Sequence, residues 1–268
     1  MPREPSSSRF LDDLRRFPAR RRAQEGLSRK RAEDSLFRAR PGGQSRCRAK
    51  KKRYSVLKTE DFKVTGDGSH PAWANAPWCA PDKFGRSKDD PRAARFKMLY
   101  SSHGLYVLMD AEDQKLSVTD KRDFDDLWTE DVFEFFLWPD ERWPVYFEYE
   151  ISPLARELVL LVPNFGSHAK SYGWRPWKYE DERKVEKAVS VRGGTVKPGA
   201  TVTGWTAEVF VPYALLRPLQ NVPPTPGTTW RANVYRCDYD DNRPVAWKWS
   251  PTGESFHDYE NFGMLVFE

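Results

Sequence analysis

"DLWTEDVFEFFLWPDERWPVYFEYEIS", residues 126–152, decides the fold class of the chain. Two runs rich in Phe, Tyr and Val, Asp131–Trp138 and Val145–Ser152, flank a loop framed by Pro139 and Pro144, which reads as a pair of β-strands. Both strands carry acid in apolar company. Glu134 stands inside Val132-Phe133-Glu134-Phe135-Phe136, and Glu148 and Glu150 alternate with Phe147, Tyr149 and Ile151. Desolvating an unpaired charge costs several kcal/mol or more. The three glutamates are therefore catalysts, metal ligands, a clamp for a polar ligand, or the wet face of a sheet. Strand alternation puts Glu134 on the face of Val132 and Phe136, and Glu148 and Glu150 on the face of Tyr146 and Ser152. If the two strands pair, several carboxylates share one face.

The same strand signals recur on either side. Arg95–Ser101 and Leu105–Asp110 form a hairpin about a Ser-His-Gly turn, and Arg156–Val162 follows the opening pair. Lys184–Val191, Val202–Pro212, Thr229–Asp238, Val245–Ser250 and Phe262–Phe267 complete about ten strands, with Gly and Pro at nearly every junction. Only Tyr213–Leu216 reads as a helical turn, and no internal repeat is visible. Repeated short strands of this kind predict an all-β, antiparallel β-sandwich, jelly-roll-like, formed by residues 54–268 as one domain. Most of the 11 Trp belong to its core, among them Trp205 and Trp230, together with Phe210. Trp128 stands where a loop meets the sheet edge, and either plugs the end of the core or faces a ligand.

Charge divides the chain. The net charge of +5 combines a basic segment, residues 1–53, with 18 Lys+Arg against 6 Asp+Glu, and an acidic remainder. The basic segment has few apolar residues and no sustained period, so it is expected to be a disordered tail. Such a tail is suited to polyanion contact. The acidic body is not suited to gripping phosphates. No apolar run approaches the ~18 residues of a membrane span, and the N-terminus shows no secretory apolar core. Cys47, Cys79 and Cys237 are widely spaced, without a CxxC, and read as small buried thiols.

Several chemistries lack their residues. There is no GxSxG and no phosphate loop, and His70, His103, His168 and His257 show no paired zinc spacing. The acidic runs Asp120–Asp126 and Asp238-Tyr239-Asp240-Asp241 offer oxygens to Ca²⁺ but do not follow the EF-hand pattern, and solvated loops are the simpler reading. The glutamates remain. Two carboxylates can hydrolyse a glycosidic bond. Alternatively, carboxylates can accept hydrogen bonds from vicinal hydroxyls while a ring covers the apolar face of a sugar.

"LWTEDVFEFFLWPD" resembles the W-x-x-D-x-x-E-x-F-x-x-P/D segment of family 9 carbohydrate-binding modules. "WRANVYRCD" and "WKWSPTGESFHDYENFGMLVF" resemble the family's close, "SHPAWANAPW" its opening, and "HGLYVLMDAED" its L-Y-V hairpin. The segments agree in order over residues 54–268. The resemblance implies a non-catalytic, monomeric β-sandwich that binds a glycan or small sugar in the service of polysaccharide degradation. It also implies structural Ca²⁺ in many members and an extracellular or periplasmic setting. Position by position, the sugar-stacking Trp falls on Trp128, the hydroxyl-binding carboxylate on Glu134, and the second stacking aromatic on Phe256. His257 follows Phe256 where well-understood members have Trp and then Arg. Glu148 and Glu150 extend the polar floor, with Arg236 and His257 as donors. A glycosidase built on two of the glutamates, and a sandwich serving protein interaction or structure, are the alternatives.

Overall fold

The computed structural model describes residues 51–84, 91–164, 174–240, 244–253 and 255–268. Residues 1–50, nearly all of the basic segment, lie outside the described residues. Among the described residues thirteen strands run in chain order: β1 (Arg53–Lys58), β2 (Asp82–Phe84), β3 (Ala94–Tyr100), β4 (Gly104–Glu112), β5 (Val132–Trp138), β6 (Val145–Ile151), β7 (Glu157–Pro163), β8 (Arg175–Pro176), β9 (Glu186–Arg192), β10 (Gly204–Pro212), β11 (Thr229–Asp238), β12 (Val245–Lys248) and β13 (Gly263–Phe267). An α-helical turn, α1 (Tyr213–Leu216), stands where the sequence places one, and short 3-10 turns at Pro71–Asn75, Leu127–Thr129, Asp181–Arg183 and Tyr259–Asn261 join it among the described residues.

The strands form two layers joined through β1. One has the order β8-β7-β6-β5-β11-β13-β1, extended by β12 and β2, and the other the order β1-β3-β4-β10-β9. All pairings are antiparallel except those of β1, which runs parallel to β13 over Arg53–Val56 and then parallel to β3 over Leu57–Lys58. A parallel pair needs a long connection, and here it is most of the described chain. The sheet is therefore mixed at one strand, which the expected antiparallel pattern did not include. A strand that changes layers is how sandwiches make corners.

Rings from the two layers meet between them. Phe133 on β5 lies 4.1 Å from Trp205 on β10, and Phe96 on β3 lies 5.6 Å from Trp249; within the first layer, Trp230 on β11 lies 4.7 Å from Phe267 on β13. Trp205 and Trp230 are fully buried, and Phe210 packs on Tyr106 on the outer side of the second layer.

Strand β5 is buried at every position, which explains its missing polar face. Phe133, Phe135 and Leu137 alternate with Val132, Phe136 and Trp138, and the second set packs with Tyr146, Leu158, Leu160, Val162 and Tyr235 in a further core. Leu127, Tyr259 and Phe262 roof that core from the loops. The outer face of the first layer is thus covered, and the glutamates lie beneath that cover.

Candidate functional site

The register of β5 and β6 sets Glu134 directly opposite Glu150, and Phe136 opposite Glu148. One oxygen from each of the three carboxyls lies within 4.8 Å of the other two. Glu134, Glu148 and Glu150 are 2%, 4% and 0% exposed, so the wet-face reading fails. Burial raises all three carboxyl pKa values well above the ordinary range, and the neighbouring carboxyl adds to each: Glu150 on Glu134, Glu134 on Glu148, Glu148 on Glu150. Glu134 Oε1, Glu148 Oε2 and both Glu150 carboxyl oxygens have no close hydrogen-bond partner, though the Trp128 backbone amide lies near enough to favour charge on Glu150, and Glu148 and Glu150 interact with each other.

These groups floor a cavity of about 330 Å³, walled by Trp128, Trp174, Tyr239, Phe256 and His257, with Phe136, Leu160 and Cys237 between them. Leu127, not Trp128, plugs the core: Leu127 is 1% exposed, while Trp128 is half-buried and meets Trp174 edge-on at 5.5 Å. The Tyr239 hydroxyl donates to the Trp128 carbonyl at 2.6 Å, and the Tyr239 amide donates to Asp131 at 2.8 Å, fixing the loop that carries Trp128. Phe256 lies flat on Tyr235, 4.1 Å away and 5° from parallel, and the Lys248 ammonium lies 5.0 Å from its ring centre. His257 stacks on Phe136, shares a hydrogen bond with the Tyr146 hydroxyl, and has Nδ1 3.8 Å from Glu148. Burial lowers its pKa to about 4, so the ring is neutral well below pH 7.

Of the residues expected from sequence, Trp128, Glu134, Glu148, Phe256 and His257 come together, and Glu150 joins them. Arg236 does not. Alternation along β11 gives Tyr235 and Cys237 to the cavity and turns Arg236 to the opposite face, fully buried. There its Nη2 donates to Asp113 at 3.0 Å and to Asp238 at 2.7 Å, and the guanidinium lies 4.5 Å from the centre of the Trp247 ring. Trp174 and Tyr239 are walls that sequence reasoning missed. Tyr239 carries a readable signal, two residues beyond the strand position that faces β5, whereas Trp174 has none.

The acidic runs are neutralised from within the protein. Arg236 and Arg92 hold Asp113, Asp238 and Asp240, with Arg92 Nη1 2.8 Å from Asp238 and 2.7 Å from Asp240. Asp123 pairs with Lys187, Asp120 with Arg156 and Asp125 with Arg122. Ca²⁺ needs six to eight oxygens free to turn toward it. Asp113, Asp238 and Asp240 bring one oxygen each within 4.8 Å of one another, but Arg236 and Arg92 already hold them, so Ca²⁺ would have to displace a guanidinium there; Asp241 lies outside the described residues.

The sequence profile of carbohydrate-binding family 9 matches residues 77–267. The chain belongs to that family. Among solved structures, a protein from Bacteroides uniformis ATCC 8492 superposes with TM-score 0.64 and 19% identity, covering 81% of this chain and 100% of that one. A family 9 module from Caldicellulosiruptor kristjanssonii in complex with cellotriose superposes with TM-score 0.56 and 15% identity, over 81% of this chain and 94% of that one. The glucose complex of a module from the same organism gives TM-score 0.54 and 15% identity, over 81% and 96%. These likenesses show a shared fold. No curated protein sequence matches the chain.

The carboxyls of this family member have a consequence for stability. Glu134, Glu148 and Glu150 hold their protons more tightly folded than unfolded, as do Asp113 (about 6) and Asp131 (about 8), both raised chiefly by burial. Above the ordinary carboxylate range the folded state then binds more protons, so stability falls as pH rises. His257, lowered to about 4, acts in the opposite sense between about 4 and 6.5, with one proton against several. Urea midpoints should be highest near about pH 5 and fall toward about pH 8, each extra proton contributing at most ~1.4 kcal/mol per pH unit. Glu150→Gln should flatten the decline. A midpoint that rises through this window would mean that the glutamates ionise in the folded chain.

Proposed function

We propose that the chain binds a sugar or glycan in the cavity between Trp128, Trp174 and Phe256, as a non-catalytic module serving polysaccharide degradation. One observation carries this reading: three buried carboxyls, short of donors, floor a cavity with aromatic walls. A pyranose has apolar ring faces and a rim of hydroxyls, and this cavity offers a partner for each. A protonated carboxyl both donates and accepts, so Glu134, Glu148 and Glu150 match hydroxyls that also do both. The solved family 9 complexes with cellotriose and glucose support the choice of ligand class.

Magnitudes point to modest affinity. By analogy with bases on rings, stacking contributes about 1–3 kcal/mol per wall. Each neutral hydrogen bond adds ~0.5–1.5 kcal/mol. Against association costs of at least ~4 kcal/mol, binding falls in the micromolar to millimolar range. The module acts as a monomer on this reading, and the basic segment at residues 1–53 is a separate polyanion contact, supported by its charge alone.

Three close carboxyls also bring to mind a glycosidase, but that chemistry needs one protonated acid and one ionised carboxylate. Here burial and mutual repulsion push all three pKa values the same way, so the site does not set one acid apart from one base. Calorimetric titration with glucose and cellotriose tests binding, and reducing-end release from a polysaccharide panel tests hydrolysis. Saturable heat without release is expected. Release that disappears in Glu134→Gln would establish the enzyme instead, and silence across a glycan array would favour a protein-interaction sandwich.

A further inference from the structure

Other buried carboxylates in this protein are well supplied with donors. Glu208 is 0% exposed and accepts from the Trp73 indole at 2.7 Å, the Thr65 and Gly66 amides at 2.8 Å each, and the Thr65 hydroxyl at 3.0 Å. Asp131 accepts from the Ser117 amide at 2.6 Å and the Tyr239 amide at 2.8 Å. Glu134, Glu148 and Glu150 are as deeply buried and line a cavity, yet four of their six oxygens have no close partner, and the groups nearest Glu150 are the Trp128 amide and the Glu148 carboxyl. No described residue lining that cavity is Lys or Arg. Buried acceptors of this kind are ordinarily satisfied. The unmet capacity lies where a ligand would sit.

We propose, building on the sugar-binding reading, that the ligand this cavity selects is a sugar bearing a free ammonium group, a 2-amino hexose or its β-linked oligomer, with the ammonium on the glutamate floor. An ammonium has three donors and no acceptor, matching a floor with acceptors and no cation. The walls match as well. Trp128, Trp174 and Tyr239 present rings to the same space, and ring faces attract cations, as the Lys248 ammonium against Phe256 already illustrates at the cavity wall. A metal ion would use the acids but not the rings. At about 330 Å³ the cavity lies at the lower end of organic ligand pockets (~300–1,000 Å³).

The groups facing the floor decide its pH behaviour. From β6 comes the Tyr146 hydroxyl, and from β11 come Tyr235 and Cys237, each protonated in the physiological range because burial raises its pKa. Tyr239, also raised by burial, lies beyond β11, and β7 contributes only apolar side chains. The loop supplies His257, neutral above about pH 4, and Asp126 lies near enough to disfavour charge on Glu150. From β12, Lys248 lies against Phe256 and donates to the Gly253 carbonyl; with no cation among the lining residues themselves, burial favours the protonated carboxyls in the empty floor. An arriving ammonium displaces about one of them, so amine binding strengthens as pH rises, up to the point where the amine itself loses charge.

The experiment is calorimetric titration of the full chain with three trisaccharides: the β-1,4 glucosamine trimer, its fully N-acetylated form, and cellotriose. At about pH 7 the amine trimer should bind about tenfold tighter than the other two, equivalent to ~1.4 kcal/mol. Titration in buffers of different ionisation enthalpy should show proton release with the amine alone. Glu134→Gln with Glu150→Gln should erase the preference and the proton release, so that the amine trimer and cellotriose bind alike; a preference that survives the double change overturns the inference. Equal or weaker binding of the amine overturns the inference and leaves sugar binding standing. No binding of any trisaccharide overturns both. Loss of amine binding in millimolar CaCl₂ at constant ionic strength would assign the floor to a divalent ion and overturn the inference as well.

Discussion

Arg236→Ala is expected to cost about 3–5 kcal/mol of folding stability, the usual loss when one partner of a buried ion pair is removed. The side chain is 1% exposed and holds Asp113 and Asp238 together, both fully buried. Asp113 also accepts from the Trp205 indole at 3.1 Å, so the pair is joined to a tryptophan that packs between the two layers. Without Arg236 the carboxylates repel, Trp247 loses the cation against its face, and a cavity opens beside both. Arg92 faces Asp238 and Asp240 but lies 4.0 Å from Asp113, too far to replace the lost bonds. Burial already holds the Asp113 pKa at about 6, with Arg236 pulling it down, so the variant should take up a proton there and lose least stability at acid pH. Arg236→Lys should recover part of the loss, because it keeps the charge but not the two-carboxylate reach. Guanidinium midpoints measure the effect. Sugar affinity of the folded variant should not change, since the side chain lies on the far side of β11 from the cavity. A loss of binding at unchanged stability would return Arg236 to the sugar site.

Reach along the chain and reach across it were unequally legible. Alternation fixed which glutamates share a face, because a strand has a period of two and β5 and β6 are close in sequence. The same rule applied to β11 would have turned Arg236 away. It was not decisive from sequence, because nothing local says which face of β11 meets the cavity until its register with β5 is known. Strand β1 is hard to read for a similar reason. Its apolar alternation spans only Tyr54 and Val56, beside a run of lysines, and the partners that order it are the last strand and the hairpin at Ala94. Strands β2 and β8 are two or three residues long and carry almost no pattern. The burial of the glutamates was illegible, because the roof over them comes from residues near 127, 174 and 256, brought together only by the fold. The aromatic content forecast a ring-filled interior without saying that there would be two cores on either side of β5.

Trp128→Ala is expected to remove measurable sugar binding at modest cost to the fold. Stacking of about 1–3 kcal/mol corresponds to roughly five- to 150-fold in affinity. From a micromolar-to-millimolar start, that loss carries most titrations out of range. The stability cost should be small, because Leu127 fills the end of the core and Trp128 gives up an edge contact with Trp174 worth about 0.5–1.5 kcal/mol. A core ring behaves differently. Trp205 is 0% exposed between the layers, and Trp205→Ala should cost ~3–5 kcal/mol while sparing affinity in whatever remains folded. The two variants measured by denaturation and by cellotriose titration thus give opposite patterns. The carbonyl of residue 128 still receives the Tyr239 hydroxyl in the alanine variant, so the loop keeps its anchor and lost binding reports the ring itself. If Trp128→Ala unfolds as readily as Trp205→Ala and the folded fraction still binds cellotriose, the ring belongs to the core and the sugar lies elsewhere. If it stays folded and stops binding, the cavity is the site, and its glutamate floor determines which sugar it prefers.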